Sequence, residues 1–234
     1  MNTKPIIENR IWQPESECMP RETLRALQVE RLQAAVARAA NVPFYKEQFA
    51  RLGVSPDKIN SLDDLRRLPF TTKADLRASY PFGFLAVPRR DVARYQGTSG
   101  TTGKPTWVAY TRNDVANWSD LCARFLVAGG LRPDHTVQIA FGFGLFTGGF
   151  GLHYGIERVG AAIIPLSSGN SERQLMCMQD MKPEILICTP SYALKLMDTI
   201  LHAGVPRDSI ALEHAHFGGE PWTEDMRTDR KSVV

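Results

Sequence analysis

Residues 136–166 read TVQIAFGFGLFTGGFGLHYGIERVGAAIIPL. A β-prone run over 136–141 leads through glycine-rich residues into a helical pattern over 147–159, and a second β-prone run follows over 161–166. Strand, helix and strand in that order form the crossover unit that lays two strands parallel in one sheet. The same alternation continues downstream. The spacing predicts helices over 171–181 and 191–203, the second closed by Gly204, and strands over 184–188 and 211–217. Upstream it predicts a short strand over 107–110 and a helix over 113–127, with Val115, Trp118, Cys122, Phe125 and Leu126 facing inward. Strands alternating with helices of about 10–15 residues argue for an α/β fold whose mainly parallel sheet is covered on both faces. In such sheets ligands sit outside the carboxyl ends of the strands, so the glycine-rich segments are expected on that rim.

Residues 1–90 read differently, as a mostly helical lead-in. Leu24, Leu27, Leu32, Ala35, Val36 and Ala39 share one face of a helix that Pro43 is expected to end. A short helix with Gly53 at its C-terminal stop follows. Ser61 with Asp64, and Thr72 with Asp75, have the spacing of a capping box, and each is expected to start a helix.

The 234 residues suit one large domain, or one domain with an N-terminal appendage. With 28 Lys+Arg against 25 Asp+Glu, the net charge of +3 gives no basic footprint for nucleic acid. No apolar stretch reaches the roughly 18 residues of a membrane span. The first ten residues carry no secretory h-region. Cys18, Cys122, Cys177 and Cys188 form no CxxC pair and stand at no metal-finger spacing from a histidine. Reduced thiols and the absence of a leader predict a cytoplasmic protein with no structural metal.

The candidate chemistry begins at Gly97-Thr98-Ser99-Gly100-Thr101-Thr102-Gly103-Lys104, followed by Pro105. These eight residues carry three glycines, four hydroxyls and one lysine. Glycines let backbone N–H groups approach phosphate oxygens without an intervening Cβ, hydroxyls add rotatable donors, and Lys104 adds a point charge. The loop is not a Walker A loop. Five residues separate Gly97 from Gly103, Pro105 follows the lysine, and the loop leads into a strand where a P-loop leads into a helix. A flexible Ser/Thr/Gly linker would stay polar, whereas here a β-prone run headed by Trp107 follows at once. Two other segments stand out. Residues 141–151 interleave four aromatics with five glycines, an unusual composition for a core strand. Gly218-Gly219-Glu220-Pro221 follows the last predicted strand. His153 and Glu157 are four apart, the spacing of a pair on one helix face, and His214 and His216 alternate along a strand.

Ser99-Gly100-Thr101-Thr102-Gly103-Lys104-Pro105 resembles the signature loop of the adenylate-forming (acyl-CoA synthetase) superfamily. Within it the chain resembles the phenylacetate–CoA ligases. The resemblance rests on Asn41-Val42-Pro43-Phe44-Tyr45, Leu68-Pro69-Phe70-Thr71-Thr72-Lys73, Tyr80-Pro81-Phe82-Gly83, Gly144-Leu145-Phe146-Thr147-Gly148-Gly149, Thr189-Pro190-Ser191-Tyr192 and Gly219-Glu220-Pro221-Trp222. It implies ATP-dependent activation of an aryl acid, phenylacetate, to an acyl-adenylate and then to its thioester with coenzyme A, with Mg²⁺ accompanying ATP. It also implies that Thr98 to Lys104 hold the phosphates, that Gly219, Glu220 and Pro221 contact the nucleotide base, and that Phe141, Phe146, Gly148 and Gly149 line the aryl pocket. A homodimer is the family expectation. Related enzymes that transfer AMP to a deazaflavin, and a non-catalytic nucleotide-binding module, are the alternatives.

The resemblance divides the chain into a helical segment over 1–90 and a partial adenylation domain over 91–228. The metal-binding glutamate, the ribose-binding aspartate and the C-terminal lid with its catalytic lysine have no counterpart in these residues. The tail, residues 229–234, departs from the family and can be read from the codons of a common sequencing adapter. It is expected to be non-native, the gene continuing past Thr228, and the chain alone is expected to be inactive.

Overall fold

The computed structural model describes residues 10–98, 104–145 and 147–226. The expected non-native tail at 229–234 lies outside them. The chain divides into two compact units, Pro14–Val115 and Met1–Gln13 with Ala116–Val234. The division falls between Val115 and Ala116, inside a helix, rather than at the change of sequence pattern after Arg90.

In the first unit, α1 spans Pro14–Glu17, α2 Arg21–Ala39, α3 Pro43–Leu52 and α4 Lys73–Ala78. Pro43 does not end α2, which stops at Ala39. It occupies the first turn of α3, where its missing N–H leaves no bond unmade. Gly53 closes α3 with φ +64, a conformation that costs glycine least. Both expected capping boxes form. Thr72 N–H donates to Asp75 Oδ2 at 2.8 Å while Asp75 N–H donates to Thr72 Oγ1 at 3.3 Å, and α4 follows. Ser61 with Asp64 starts a 3-10 turn over Leu62–Arg67 instead of an α-helix. The apolar face of α2 delivers Val36 to a small core with Phe49, Val54 and Ile59, and Leu32 and Ala39 pack against it. Ala35, expected on the same face, is exposed. β1 (Val92–Gly97) and β2 (Trp107–Thr111) then pair antiparallel, with Gly97 opposite Trp107.

The second unit holds the predicted parallel sheet. Its strands are β3 (Thr136–Ile139), β4 (Ala162–Ile164), β5 (Ile185–Cys188) and β6 (His214–Phe217), in the order β4-β3-β5-β6 with every pair parallel. α5 (Arg112–Ala128), α6 (Thr147–Val159), α7 (Ser171–Met181) and α8 (Pro190–His202) cover it. The two-residue period of the strands sorts the core. Val137, Ile139, Ile185 and Ile187 point to one face and pack with Ala123, Leu126 and Val127 of α5 and Leu152, Ile156 and Val159 of α6. Leu186 and Cys188 point to the other and pack with Leu175 and Met178 of α7 and Ala193, Leu196 and Ile200 of α8. Phe125 departs from the expected inward face of α5. It is 48% exposed and meets His216 edge-on at 5.9 Å, while Ser119 and Ala123 take the buried positions.

Small residues set how closely α6 approaches α5. A Cβ on Gly155 would lie 2.6 Å from Cys122 Cβ and 3.0 Å from its backbone carbon, and one on Gly151 would lie 2.6 Å from the Trp118 ring. Neither distance is compatible with a side chain unless the helices move apart. Replacing Gly155 with alanine gains about 1 kcal/mol of helix propensity, but overpacking a filled interface costs roughly 1–3 kcal/mol. Gly155→Ala is therefore expected to lower the denaturant midpoint in equilibrium unfolding, whereas Gly160→Ala at the open end of the helix loses stability through its φ of +89 alone.

Candidate active site

The strand order places a cavity. From β3 the chain leaves through α6 to β4 on one side, and from β5 it leaves through α8 to β6 on the other. The two departures diverge, so a crevice opens beyond the carboxyl ends of β3 and β5, where doubly wound sheets bind ligands. A cavity of about 520 Å³ lies there. Its walls are Ala140, Phe141 and Gly142 after β3, Ser168 after β4, Thr189, Ser191, Tyr192 and Lys195 after β5, and Gly219 after β6.

Each wall has a local cause. Phe141, 7% exposed, anchors the floor in the core shared by α5 and α6. Gly219 has φ +86, and a Cβ there would lie 3.4 Å from Phe141 Cε1 and 3.7 Å from Thr189 Cγ2. Thr189 caps α8, its Oγ1 accepting from Tyr192 N–H at 3.3 Å with Pro190 in the first turn. Ser168 is held through two fully buried glutamines. Gln138 Nε2 donates to Gln174 Oε1 at 2.6 Å, and Gln174 Nε2 donates to the Ser167 carbonyl at 2.8 Å. Tyr192 donates its hydroxyl to the Gly169 carbonyl at 2.9 Å. These bonds support a turn in which Ser167, Gly169 and Asn170 all take positive φ (65°, 87° and 49°). The cavity thus combines an aromatic floor with a rim of hydroxyls and one ammonium, a surface for a flat apolar group carrying a polar end.

Of the residues singled out in the sequence, Phe141 and Gly219 meet on this wall. Gly148 and Gly149 open α6 and do not line the cavity. A Cβ on Gly149 would lie 2.8 Å from the Gly142 carbonyl, so that glycine lets α6 start against the β3 exit. Phe146 and residues 99–103 lie outside the described residues. Glu220 Oε1 accepts from Ser191 N–H at 2.5 Å, a carboxylate set on the N-terminal turn of α8. Pro221 is exposed. Ser168, Thr189, Ser191, Tyr192 and Lys195 were not read as site residues. A Thr-Pro pair just past a strand, marking a helix start on the ligand-binding rim, is the available signal for Thr189, Ser191 and Tyr192.

The glycine-rich loop falls in the unit Pro14–Val115, between two strands that are not part of the four-stranded sheet. It joins the antiparallel strands β1 and β2, and Thr98 and Thr106 close its base, with Thr98 N–H donating to the Thr106 carbonyl at 3.1 Å and Thr106 N–H donating to Thr98 Oγ1 at 3.0 Å. Lys104 Nζ lies 5.0 Å from the centroid of the Tyr80 ring. A strand–loop–strand hairpin agrees with the exclusion of a P-loop.

His153, His216 and His135 each pack within the second unit. His153 Nδ1 lies 3.6 Å from Glu157 Oε2, an ion-pair distance rather than a hydrogen bond. His216 packs beneath Gly129, where a Cβ would collide with its ring, and burial followed by the neighbouring His214 pushes its pKa down. His135 is also pushed down, chiefly by burial. Among the described residues no group of three His, Cys, Asp or Glu side chains could hold a metal ion, and no helix is long and apolar enough to cross a membrane.

No family model matches the chain. The solved 2-hydroxyisobutyryl-CoA ligase, in complex with 2-HIB-AMP and CoA, superposes with a TM-score of 0.90 at 31% identity, over 99% of this chain and 51% of that one. A long-chain-fatty-acid-CoA ligase from Archaeoglobus fulgidus shares the fold at a TM-score of 0.51 and 23% identity, over 62% of this chain and 28% of that one. The fold is thus that of the adenylate-forming CoA ligases. A curated phenylacetate–coenzyme A ligase of Thermus thermophilus is 50% identical over 218 residues, 93% of this chain and 49% of that protein. Its Pseudomonas putida counterpart is 45% identical over 207 residues, 88% of this chain and 47% of that protein. The chain belongs to the phenylacetate–CoA ligase family and spans about half the length of the curated relatives it matches.

A histidine whose pKa is lower folded than unfolded binds fewer protons in the folded state, so stability is lost as pH falls through the unfolded value. For His216 and His135 the unfolded value is 6.5. The melting temperature is expected to fall as pH drops from about 7 toward 5, and His216→Asn is expected to flatten that slope in scans across the same range.

Proposed function

We propose that the chain is part of an enzyme that activates an aryl acid, phenylacetate, with ATP and passes the acyl group to coenzyme A. The cavity at the diverging carboxyl ends of β3 and β5, floored by Phe141 and kept open at Gly219, carries this reading. The names of the relatives supply the acid and the thiol. In the first step a carboxylate oxygen attacks the α-phosphorus of ATP, and the bond to pyrophosphate breaks. In the second the sulfur of coenzyme A attacks the acyl carbon, and the bond to AMP breaks. Mg²⁺ enters with ATP as part of that substrate.

In this reading Phe141 stacks against the ring of the acid, and Gly219, Glu220 and Pro221 border the adenine. Residues 98–104 hold the leaving phosphates, where fixed N–H and hydroxyl donors meet charge that grows as the bond breaks. Gly149 supports the aryl pocket by letting α6 begin close to Gly142, and Gly148 and Phe146 belong to the same segment. Phe141 carries no hydroxyl, so its ring keeps this wall of the cavity apolar. Residues 91–228 form part of the adenylation domain, and the reaction is assigned to the cytoplasm, where cysteines stay reduced, and to a homodimer, as the family resemblance implies.

Four charge-assisted phosphate contacts would supply roughly 6–12 kcal/mol, against an association cost of about 4–15 kcal/mol. The loop by itself should bind ATP weakly. The 234-residue chain is expected to show no ATP–pyrophosphate exchange above background. A full-length protein containing it is expected to form phenylacetyl-CoA from phenylacetate, ATP and CoA, with Phe141→Ala raising the KM for phenylacetate about tenfold or more, as loss of a buried aromatic contact implies. A full-length protein that releases AMP but forms no thioester would overturn the choice of acceptor.

A further inference from the structure

The sequence marks Lys104 as the charge of the phosphate loop, and the structure shows what holds it. In the unit Pro14–Val115, Tyr80 lies beyond the end of α4, outside the hairpin, yet touches it at two places. The Lys104 ammonium sits 5.0 Å from the centroid of the Tyr80 ring. Trp107 Nε1–H donates to the Tyr80 hydroxyl at 3.4 Å. Trp107 in turn stands opposite Gly97, where a Cβ would lie 3.1 Å from Trp107 Cζ3. Gly97, Trp107, Tyr80 and Lys104 therefore form a continuous chain of contacts across the base of the loop. Among the described residues no carboxylate pairs with Lys104.

An ammonium over an aromatic face is held by the ring quadrupole and keeps its opposite side free. Lysine loses more rotamer freedom on being fixed than almost any other side chain. A ring behind the ammonium restricts that freedom before ligand arrives and leaves donors to meet a phosphate oxygen. We propose that Tyr80 is a positioning residue for phosphate binding. Its ring face holds the Lys104 ammonium at the base of the glycine-rich loop, and its hydroxyl ties that ring to Trp107. The inference rests on the reading of the loop as a phosphate grip and adds a residue that the loop motif does not contain.

The test uses the 234-residue chain with ¹³C-labelled lysine, the Lys104 signals being assigned by their loss in Lys104→Met. Without ligand, the Lys104 Hε resonances are expected to be displaced upfield by the ring current, to stay displaced in Tyr80→Phe and to return to ordinary positions in Tyr80→Leu. On titration with inorganic triphosphate and with Mg-ATP, Tyr80→Leu is expected to bind about two- to fivefold more weakly, the size of an exposed cation–π contact. Tyr80→Phe is expected to bind nearly as the parent does, and Tyr80→Leu to add no further loss once Lys104 is methionine. An undisplaced Lys104 signal in a parent chain that binds triphosphate overturns the inference and leaves the phosphate reading standing. So does an equal loss from Tyr80→Leu in both backgrounds, which would mark a merely structural role, or a Tyr80→Phe chain as weak as Tyr80→Leu. A parent chain that binds neither probe, even weakly at about 10 mM, overturns the phosphate reading and the inference together.

Discussion

The pairing of β3 with β5 is the constraint on which the second unit depends. The two strands lie side by side and parallel, with Val137 against Ile185 and Ile139 against Ile187, and the chain leaves their carboxyl ends toward opposite edges of the sheet. Parallel neighbours cannot be joined by a tight turn, so each needs a crossover. Those crossovers cover both faces and account for the strands being apolar on both sides, except at Thr136 and Gln138. Because the crossovers diverge at this pair, a cavity is left above it among the described residues. The cavity follows from the topology, and the side chains around it decide only its chemistry.

Gln138 shows how that topology is reconciled with a polar rim. It points to the α7–α8 face among apolar neighbours, where an unbonded amide would cost about 1–3 kcal/mol. Gln174 meets it from α7 and passes the bond on to the turn at Ser167. A buried polar pair thus connects the centre of the sheet to the loop that carries Ser168. The same dependence on distant elements recurs at Glu220, which follows β6 yet caps the first turn of α8, and at Tyr80, which lies outside the hairpin yet reaches both its lysine and its tryptophan.

Much of the fold was legible because local and tertiary preferences agree. The helices at Thr147–Val159 and Ser171–Met181 stand at the bounds their periodicity indicates, and Gly53 and the Thr72 capping box punctuate the first unit as their chemistry requires. Reading failed where a residue's use is set by a partner far along the chain. Val92–Gly97 mixes charged, polar and apolar residues, and it is a strand because Trp107–Thr111 pairs with it. Phe125 has the spacing of a buried residue, but the buried positions of α5 go to Ser119, Ala123, Leu126 and Val127 and leave it half exposed. At the candidate site, Phe141 and Gly219 were legible as an aromatic among glycines and a post-strand glycine. Ser168 and Lys195 carry no local mark at all.

By itself the amino-acid sequence determined the α/β class, the parallel sheet, the family and the two glycine-bearing segments that flank the cavity. Each of these rests on periodicity, on turn chemistry or on a contiguous motif, and all three are properties of neighbours along the chain. Only the tertiary structure decided that β5 inserts beside β3, that the strands flanking the glycine-rich loop pair antiparallel, and that Phe141 and Gly219 face each other across seventy-odd residues of chain. Strand order and side-chain encounter depend on which apolar faces find each other on burial. That choice is made by packing of the whole unit, and no short stretch of sequence contains it.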